Sequence, residues 1–513
     1  MLKNCMKLLL ILMPLIFLSI ISGEAKSTLT GSIELGYEYI DIDNPLNNTS
    51  YNRGSTHNFR FLTTDKINSY NFSGIGNLTY NKDKSSKKFL IETLRLEFAN
   101  DRQSFLFGQY YPQFSELTIN NQKMEGININ LFRKHFDVNI FGGISNQYEK
   151  ITELNSTPKY QQYLYGIKTD YKLGIHKIYI TAFQAQEDKS SIDTGIPSLG
   201  PIKNNLIALG FTGIIPNEKG KFKFEYSATE LDDDRKDSIV EKTNDWGILT
   251  SLDYNLLKNL RTTLQYKNFG NGYYTTGNQS LNSSAVGYNG ILFQYEYALE
   301  KTMFSGYYEN YFEESFDTSG IKTKYWIFDN SIKQRINDNN EITFSSYLKD
   351  TKKEDGTNDK FKYTGKISYS KKLKTAKISG NINYSKTDDK TISNADSKVK
   401  GFSINYSDKY FKNKMYFSTF IMANNTTGDI NFFMINTNIN HKLIPNKFLI
   451  TANLGYQLNS NPTELTRTYT NKLNFKYYLS FEKTIEFELK NDRKFAVSGY
   501  NVWDTVLKYA MIF

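Results

Sequence analysis

From Lys26 to Phe513 the chain never offers the roughly 20 consecutive apolar residues that a membrane-spanning helix needs, yet its apolar side chains recur at every second position. In AKISGNINYSK, Ala376, Ile378, Gly380, Ile382 and Tyr384 fall on one face, and Lys377, Ser379, Asn381, Asn383 and Ser385 on the other. Further on, Leu473, Phe475, Tyr477, Leu479 and Phe481 oppose Lys472, Asn474, Lys476, Tyr478 and Ser480. A period of two is a strand period, and a helix would scatter these residues around its axis. The chain is expected to be all-β.

Composition agrees. Tyr and Phe, 38 and 36 of them, favour strands, and only 9 Pro are present to break them. The net charge of +10 is spread over 63 basic and 53 acidic residues with no basic tract, which argues against a nucleic-acid partner. At the N-terminus, Lys3 and Lys7 flank the apolar LLLILMPLIFLSIIS, and Gly23, Glu24 and Ala25 place small residues where a signal peptidase cuts. Residues 1–25 are expected to be a cleaved secretory signal peptide, an uncleaved anchor being the alternative. Cys5, the single cysteine, precedes the apolar core, so it is not placed to carry a lipid. Residues 26–513 hold no cysteine, which excludes disulfides, thiolate catalysis and Cys-based metal sites there.

The connections fall into two kinds that take turns. FRKHF, LKNL, ALEKT and KKLKTA are tight, whereas DNPLNNTSYNRGS, KSSIDTGIPSLGPIKN and KTDDKTISNADSK are long and polar. Counting them gives about 13 hairpins and about 26 strands, in the range 24–26, with residues 26–513 forming one barrel and no separate plug or periplasmic domain. A soluble sandwich also alternates. The two classes of connection, and the aromatic residues near strand ends, favour a transmembrane antiparallel up-and-down β-barrel with short periplasmic turns and longer extracellular loops.

The last strand supports that choice. In YNVWDTVLKYAMIF, Trp503, Thr505, Leu507, Tyr509, Met511 and Phe513 alternate with Asp504, Lys508 and their neighbours, and the chain ends on the aromatic ring. This pattern resembles the C-terminal strand of bacterial outer-membrane β-barrel proteins. The resemblance implies a place in the cell outer membrane, reached through the periplasm, and recognition of Tyr509, Met511 and Phe513 by the barrel-assembly machinery. Outer-membrane lipid and lipopolysaccharide are then the surrounding partners. The resemblance extends to architecture and to no particular family, since the cysteines and periplasmic domain of the lipopolysaccharide-export barrel are missing.

Candidate chemistry is sparse. His135, His176 and His441 fall in separate periplasmic turns and His57 begins a strand at the opposite side, so they do not gather into a catalytic or metal site. No enzyme activity and no cofactor are expected. The Asp232–Asp234 run is either a cation site or a solvated loop. FGQYYPQFSELTINNQKMEGININ is the most individual segment: Pro112 ends an aromatic strand, and Phe114, Glu116, Leu117 and Ile119 put apolar side chains in an external loop. Apolar residues there want burial, either inside the lumen as a constriction or over the rim. The Tyr-rich NFGNGYYTTGNQSLNSSAVGYN is a candidate external binding surface. Lys377, Asn381, Asn383, Lys472, Asn474, Lys476 and Lys508 are candidates for the lumen lining, with a modest cationic bias.

Twenty-six strands imply a backbone diameter on the order of 50 Å, so inward loops, a plug or a partner protein must fill it. The expected function is a porin-like transport barrel that passes hydrophilic solutes or polymers through a polar lumen narrowed by loops. The alternative is a scaffold barrel holding partner subunits of a secretion, surface-assembly or motility complex.

Overall fold

A computed structural model describes residues 30–67, except 44–53, then 69–81, 89–147, 159–191, 201–232 and 242–278. It further describes 281, 287–314, 321–391, 396–412, 414–426, 430–460, 465–480, 482–495 and 500–512. The expected signal peptide, Asp233, Asp234 and Phe513 lie outside the described residues.

The chain forms β1 Thr30–Asp43, β2 Gly54–Ile67, β3 Tyr70–Asn81, β4 Phe89–Asn100, β5 Gln103–Tyr110, β6 Met124–Phe132 and β7 Phe136–Asn146. Next come β8 Gln162–Leu173, β9 His176–Glu187, β10 Lys203–Ile215, β11 Gly220–Asp232, β12 Lys242–Leu257, β13 Leu260–Phe269 and β14 Tyr288–Ala298. Then follow β15 Thr302–Glu314, β16 Lys322–Asn337, β17 Asn340–Lys353, β18 Asp359–Lys372, β19 Lys377–Asp389 and β20 Ser397–Tyr410. The last six are β21 Met415–Thr426, β22 Ile430–Ile444, β23 Phe448–Ser460, β24 Leu465–Tyr478, β25 Lys483–Phe495 and β26 Tyr500–Ile512.

Each strand pairs antiparallel with the one before and the one after it, and β1 pairs with β26, so the 26-stranded sheet closes. This is the up-and-down barrel expected from the alternation. One end carries tight turns such as Asp101–Arg102 and Lys258–Asn259, and the other carries the longer connections. The loop end is not uniform in length, because the strands of the pairs β21–β22, β23–β24 and β25–β26 are separated there by only three or four residues. Register shifts occur only near strand ends, between Asn77 and Leu78, Ile144 and Asn146, Asn255 and Leu257, Arg335 and Asn337, and Lys442 and Ile444. Bulges at a rim bend the strand without disturbing the faces between the rims.

Directly paired residues share a face of the sheet, so the registers carry one parity around the ring. Leu35 sits opposite Tyr509 and Phe59, Ile367 opposite Ile382, and Ile382 opposite Phe402. Large apolar side chains on this face are exposed, Ile382 at 67% and Ile207 at 57%. An apolar surface this extensive is unstable in water and matches a bilayer. The opposite, inner face carries Asn381 against Ser403, Lys366 against Asn383, and Asn474 against Glu488. His57, His176 and His441 point outward on separate strands and His135 lies in a turn.

The two faces of β19 should respond differently to charge. Ile382→Lys is expected to cost about 2–4 kcal/mol near the bilayer midplane, whereas Asn381→Lys on the inner face, opposite Ser368 and Ser403, should be nearly neutral. Denaturant titration of each variant folded into lipid vesicles measures the difference, and equal losses would reverse the assigned faces.

Candidate functional site

The inner face is not polar everywhere. Beneath the β5–β6 connection it carries Leu106, Phe141, Leu164, Phe183, Leu206, Ala208 and Leu249, all buried. Each alternates with an outward residue, as Leu106 does with Phe107 and Leu164 with Tyr163 and Tyr165. Residues 111–123 cover this patch. Leu117, Thr118 and Ile119 are fully buried, and Phe114 packs edge-on against Phe141 with ring centroids 5.0 Å apart.

Gly108 lets β5 release the chain toward the interior. Its φ is +99°, which disfavours other residues, and a Cβ there would lie 1.9 Å from the Leu94 carbonyl oxygen. Gly108, Gly126 and Gly143 occupy facing positions on β5, β6 and β7, leaving a bare strip of backbone. Across it lies Tyr110, whose hydroxyl donates to the Ile127 carbonyl at 2.9 Å.

Charged groups fasten the segment from below. Glu225 of β11 is fully buried, and it accepts hydrogen bonds from the Ser115 hydroxyl and, at 2.7 Å, from the Tyr179 hydroxyl, with Lys223 Nζ at 3.4 Å. A carboxylate held out of water needs such partners, because its desolvation is otherwise prohibitive. Lys168 Nζ donates to the Phe114 carbonyl at 3.3 Å, and Lys267 reaches Glu116 at 2.9 Å.

A second segment, residues 270–278 after β13, lies on the first. The Tyr273 hydroxyl donates to the Leu117 carbonyl at 2.5 Å, Thr275 to that of Thr118 at 2.8 Å and Asn278 to that of Glu116 at 2.6 Å. In return the Asn120 amide donates to the Gly277 carbonyl at 2.9 Å. Asn204 of β10 anchors the far side, accepting from the Thr276 amide and donating to Thr229. The described part of the Tyr-rich loop, read from sequence as an external binding surface, is thus buried in this contact: Thr275, Thr276 and Asn278 are at most 4% exposed. Nothing local in GNGYYTTGN identifies its partner, which lies more than 150 residues earlier.

Pro112, Phe114, Glu116, Leu117 and Ile119 all belong to this double layer. Lys377, Asn381, Asn383, Lys472, Asn474, Lys476 and Lys508 all lie on the inner face, on β19, β24 and β26. The cationic bias expected from two of them is absent, because Lys472 pairs with Glu488 at 2.7 Å and Lys476 with Glu486 at 3.7 Å. Asn474 donates to Glu486 at 2.5 Å between them. Tyr509 and Met511 face outward on β26, opposite Leu35 and Ile33. Among the described residues no group of His, Cys, Asp and Glu side chains is arranged to hold a metal ion.

Sequence reasoning missed a row of rings on the inner face. Phe269, Tyr288, Tyr311 and Tyr325, from β13 to β16, lie in sequence with centroids 5.7, 4.9 and 4.6 Å apart. Their parity places them inside, but only the register aligns them.

No family model and no curated protein matches the chain. Among solved structures it is similar to the translocation pore of the P pilus usher PapC, at 12% identity over 94% of this chain and 99% of that one, with a TM-score of 0.37. The iron transporter FrpB of Neisseria meningitidis is 9% identical over 96% and 83% of the two chains, with a TM-score of 0.47. A BenF-like porin from Pseudomonas fluorescens is 8% identical over 95% and 99%, with a TM-score of 0.32. Likenesses of this size fix neither family nor function.

Truncating Leu117 to Ala should cost the docked segment about 2–5 kcal/mol through lost burial and the cavity left behind. A thiol placed at Thr118 reports this. In the parent barrel it should resist a water-soluble maleimide, and in the Leu117→Ala background it should react at least tenfold faster (~1.4 kcal/mol per tenfold change in the open population). Equal rates would mean that Leu117 does not hold the segment.

Proposed function

We propose that the protein is an outer-membrane transport barrel, exported by the signal at residues 1–25, that passes hydrophilic solutes or polymers through a hydrated lumen. The observation that carries this reading is the consistent parity of the ring. An exposed apolar face suits lipid, while an inner face of Asn, Ser, Thr and paired charges suits water. Asn453 donates to Asn438 at 2.5 Å and Thr451 to Asn440 at 2.7 Å, a hydrogen-bonded lining that stays in place beside a moving solute.

In this reading the two docked segments narrow the lumen from the β5–β13 side. They do so as a fixed wall, since apolar burial and the Glu225 contacts hold them at several points. Selectivity then follows from the remaining width and from the charges that face it.

Planar-bilayer recording of the purified barrel tests the proposal. A stable ohmic current is expected, and deletion of residues 113–120 should raise the unit conductance, about twofold if the segment occupies half of the narrowest section. Electrical silence together with a co-purifying protein would overturn the transport reading in favour of a scaffold.

A further inference from the structure

Most inner-face cations stand beside a carboxylate. Lys172 pairs with Asp137 at 2.7 Å, Lys223 with Glu225 at 3.4 Å and Lys490 with Asp492 at 2.6 Å. β18 departs from this pattern. Its inner face carries Lys360, Lys362, Lys366 and Lys372 and no carboxylate.

The neighbouring strands add charge rather than cancel it. Lys349 of β17 stands directly opposite Lys362, and Lys377 of β19 directly opposite Lys372. Like charges at opposed positions destabilise a sheet, so their persistence on three adjacent strands asks for counter-charge from outside the wall. Acids hold two nearby cations, Lys360 through Asp389 at 3.2 Å and Lys333 through Glu341 at 3.0 Å. Lys349 lies 5.0 Å from the centre of the Tyr325 ring. Lys362, Lys366, Lys372 and Lys377 have no ion-pair partner among the described residues.

These cations form a line along the strand. Lys360 and Lys372 stand at opposite ends of β18, about 40 Å apart at 3.3 Å per residue. With the tilt usual in such barrels, about 40°, that line crosses the roughly 30 Å of the hydrocarbon core. Between Lys366 and Lys372 the wall is a cleft lined by Ser368, Ser370, Ser379, Asn381, Ser403 and Asn405, with Glu341, the ion-pair partner of Lys333, also lining it. At the turn end Lys333, Arg335, Lys372 and Lys377 line a second cleft together with Asp338 and Glu341, four cations to two acids.

We infer that the inner wall of β16–β19 is a rail for an extended acidic polysaccharide, a cargo class that rests on the transport reading above. Lysine ammonium groups attract carboxylates, and the serine and asparagine groups between them match sugar hydroxyls in both donors and acceptors. Lys362, Lys366 and Lys372 are spaced by about 13 and 20 Å along the strand, which suits a chain whose anionic groups are separated by neutral sugars. A single nucleic-acid strand presents a phosphate at every nucleotide and gains by stacking its bases on aromatic rings. The stretch from Lys366 to Lys372 is lined mostly by Ser and Asn, and among its lining residues Phe420 is the one ring on the inner face, too few to stack successive bases.

The test uses the full-length barrel and a Lys362→Gln, Lys366→Gln, Lys372→Gln variant, with Lys258→Gln, an exposed lysine in the turn between β12 and β13, as control. Heat-modified gel migration establishes that each is folded, and Lys366→Gln alone replaces the triple variant if that one does not form a barrel. The probe is a fluorescent galacturonan oligomer with half its carboxylates methyl-esterified, followed by anisotropy in detergent against neutral dextran and an oligothymidylate. The oligouronate is expected to bind the parent and the control alike, and to bind the triple variant at least tenfold more weakly, or Lys366→Gln at least about twofold more weakly. Binding of dextran with equal strength, tighter binding of the oligothymidylate, or indifference to the substitutions would each overturn the rail. In bilayers the chloride-to-potassium permeability ratio should fall about threefold in the triple variant; an unchanged ratio in a conducting barrel also counts against the rail. Absence of current defeats the transport reading alone, since the anisotropy measurement needs no conduction.

Discussion

Closure of the sheet between β1 and β26 is the interaction on which the rest depends. Inside hydrocarbon an unpaired backbone N–H or C=O costs several kcal/mol, so no strand can be left with a free edge. The first and last strands must therefore find each other across the whole chain, as they do from Ser32 opposite Ile512 to Ile40 opposite Asp504. Closure also imposes parity. Gly36 meets Lys508 on the inside and Tyr37 meets Leu507 on the outside, and a slip of one residue would turn a strand's lipid face toward the water.

A closed ring of 26 strands encloses more space than its own side chains can fill. The two sides of this barrel meet that problem differently. Along β5–β13 the inner face becomes apolar, at Leu106, Phe141, Leu164 and Leu206, because residues 111–123 and 270–278 lie against it and exclude water. From β16 to β19 the wall is cationic and no described segment lies over it, and from β22 to β26 it is a mesh of Asn, Thr and paired Lys and Glu side chains. The wall is thus asymmetric, one side thickened by two docked segments over an apolar patch and the other presenting a polar, charged face.

Short-range pattern revealed the strands and their faces. Alternation alone places Lys377, Asn381 and Asn383 on the polar side of β19, because a pleated strand sends successive side chains to opposite faces whatever surrounds it. The apolar side chains of FSELTI signalled burial for the same local reason, since Leu117 and Ile119 have no stable place in water. Their site of burial was not legible, for it depends on Phe141, Glu225 and Tyr273, which come from three distant strands and loops.

Charge showed the limit most clearly. Lys472 and Lys476 read as free cations along the chain, and the β24–β25 register neutralises them with Glu488 and Glu486. Lys362 and Lys366 read no differently, yet the registers on both sides set them against Lys349, Ser345, Thr387 and Asn383, where no acid stands. The residue types and their alternation settle that the chain folds as strands and which residues of each strand share a face. Which charges survive on the wall, and which loops close over it, follows from partners brought together by registry, because an ion pair or a buried contact needs two groups and the chain order names only one.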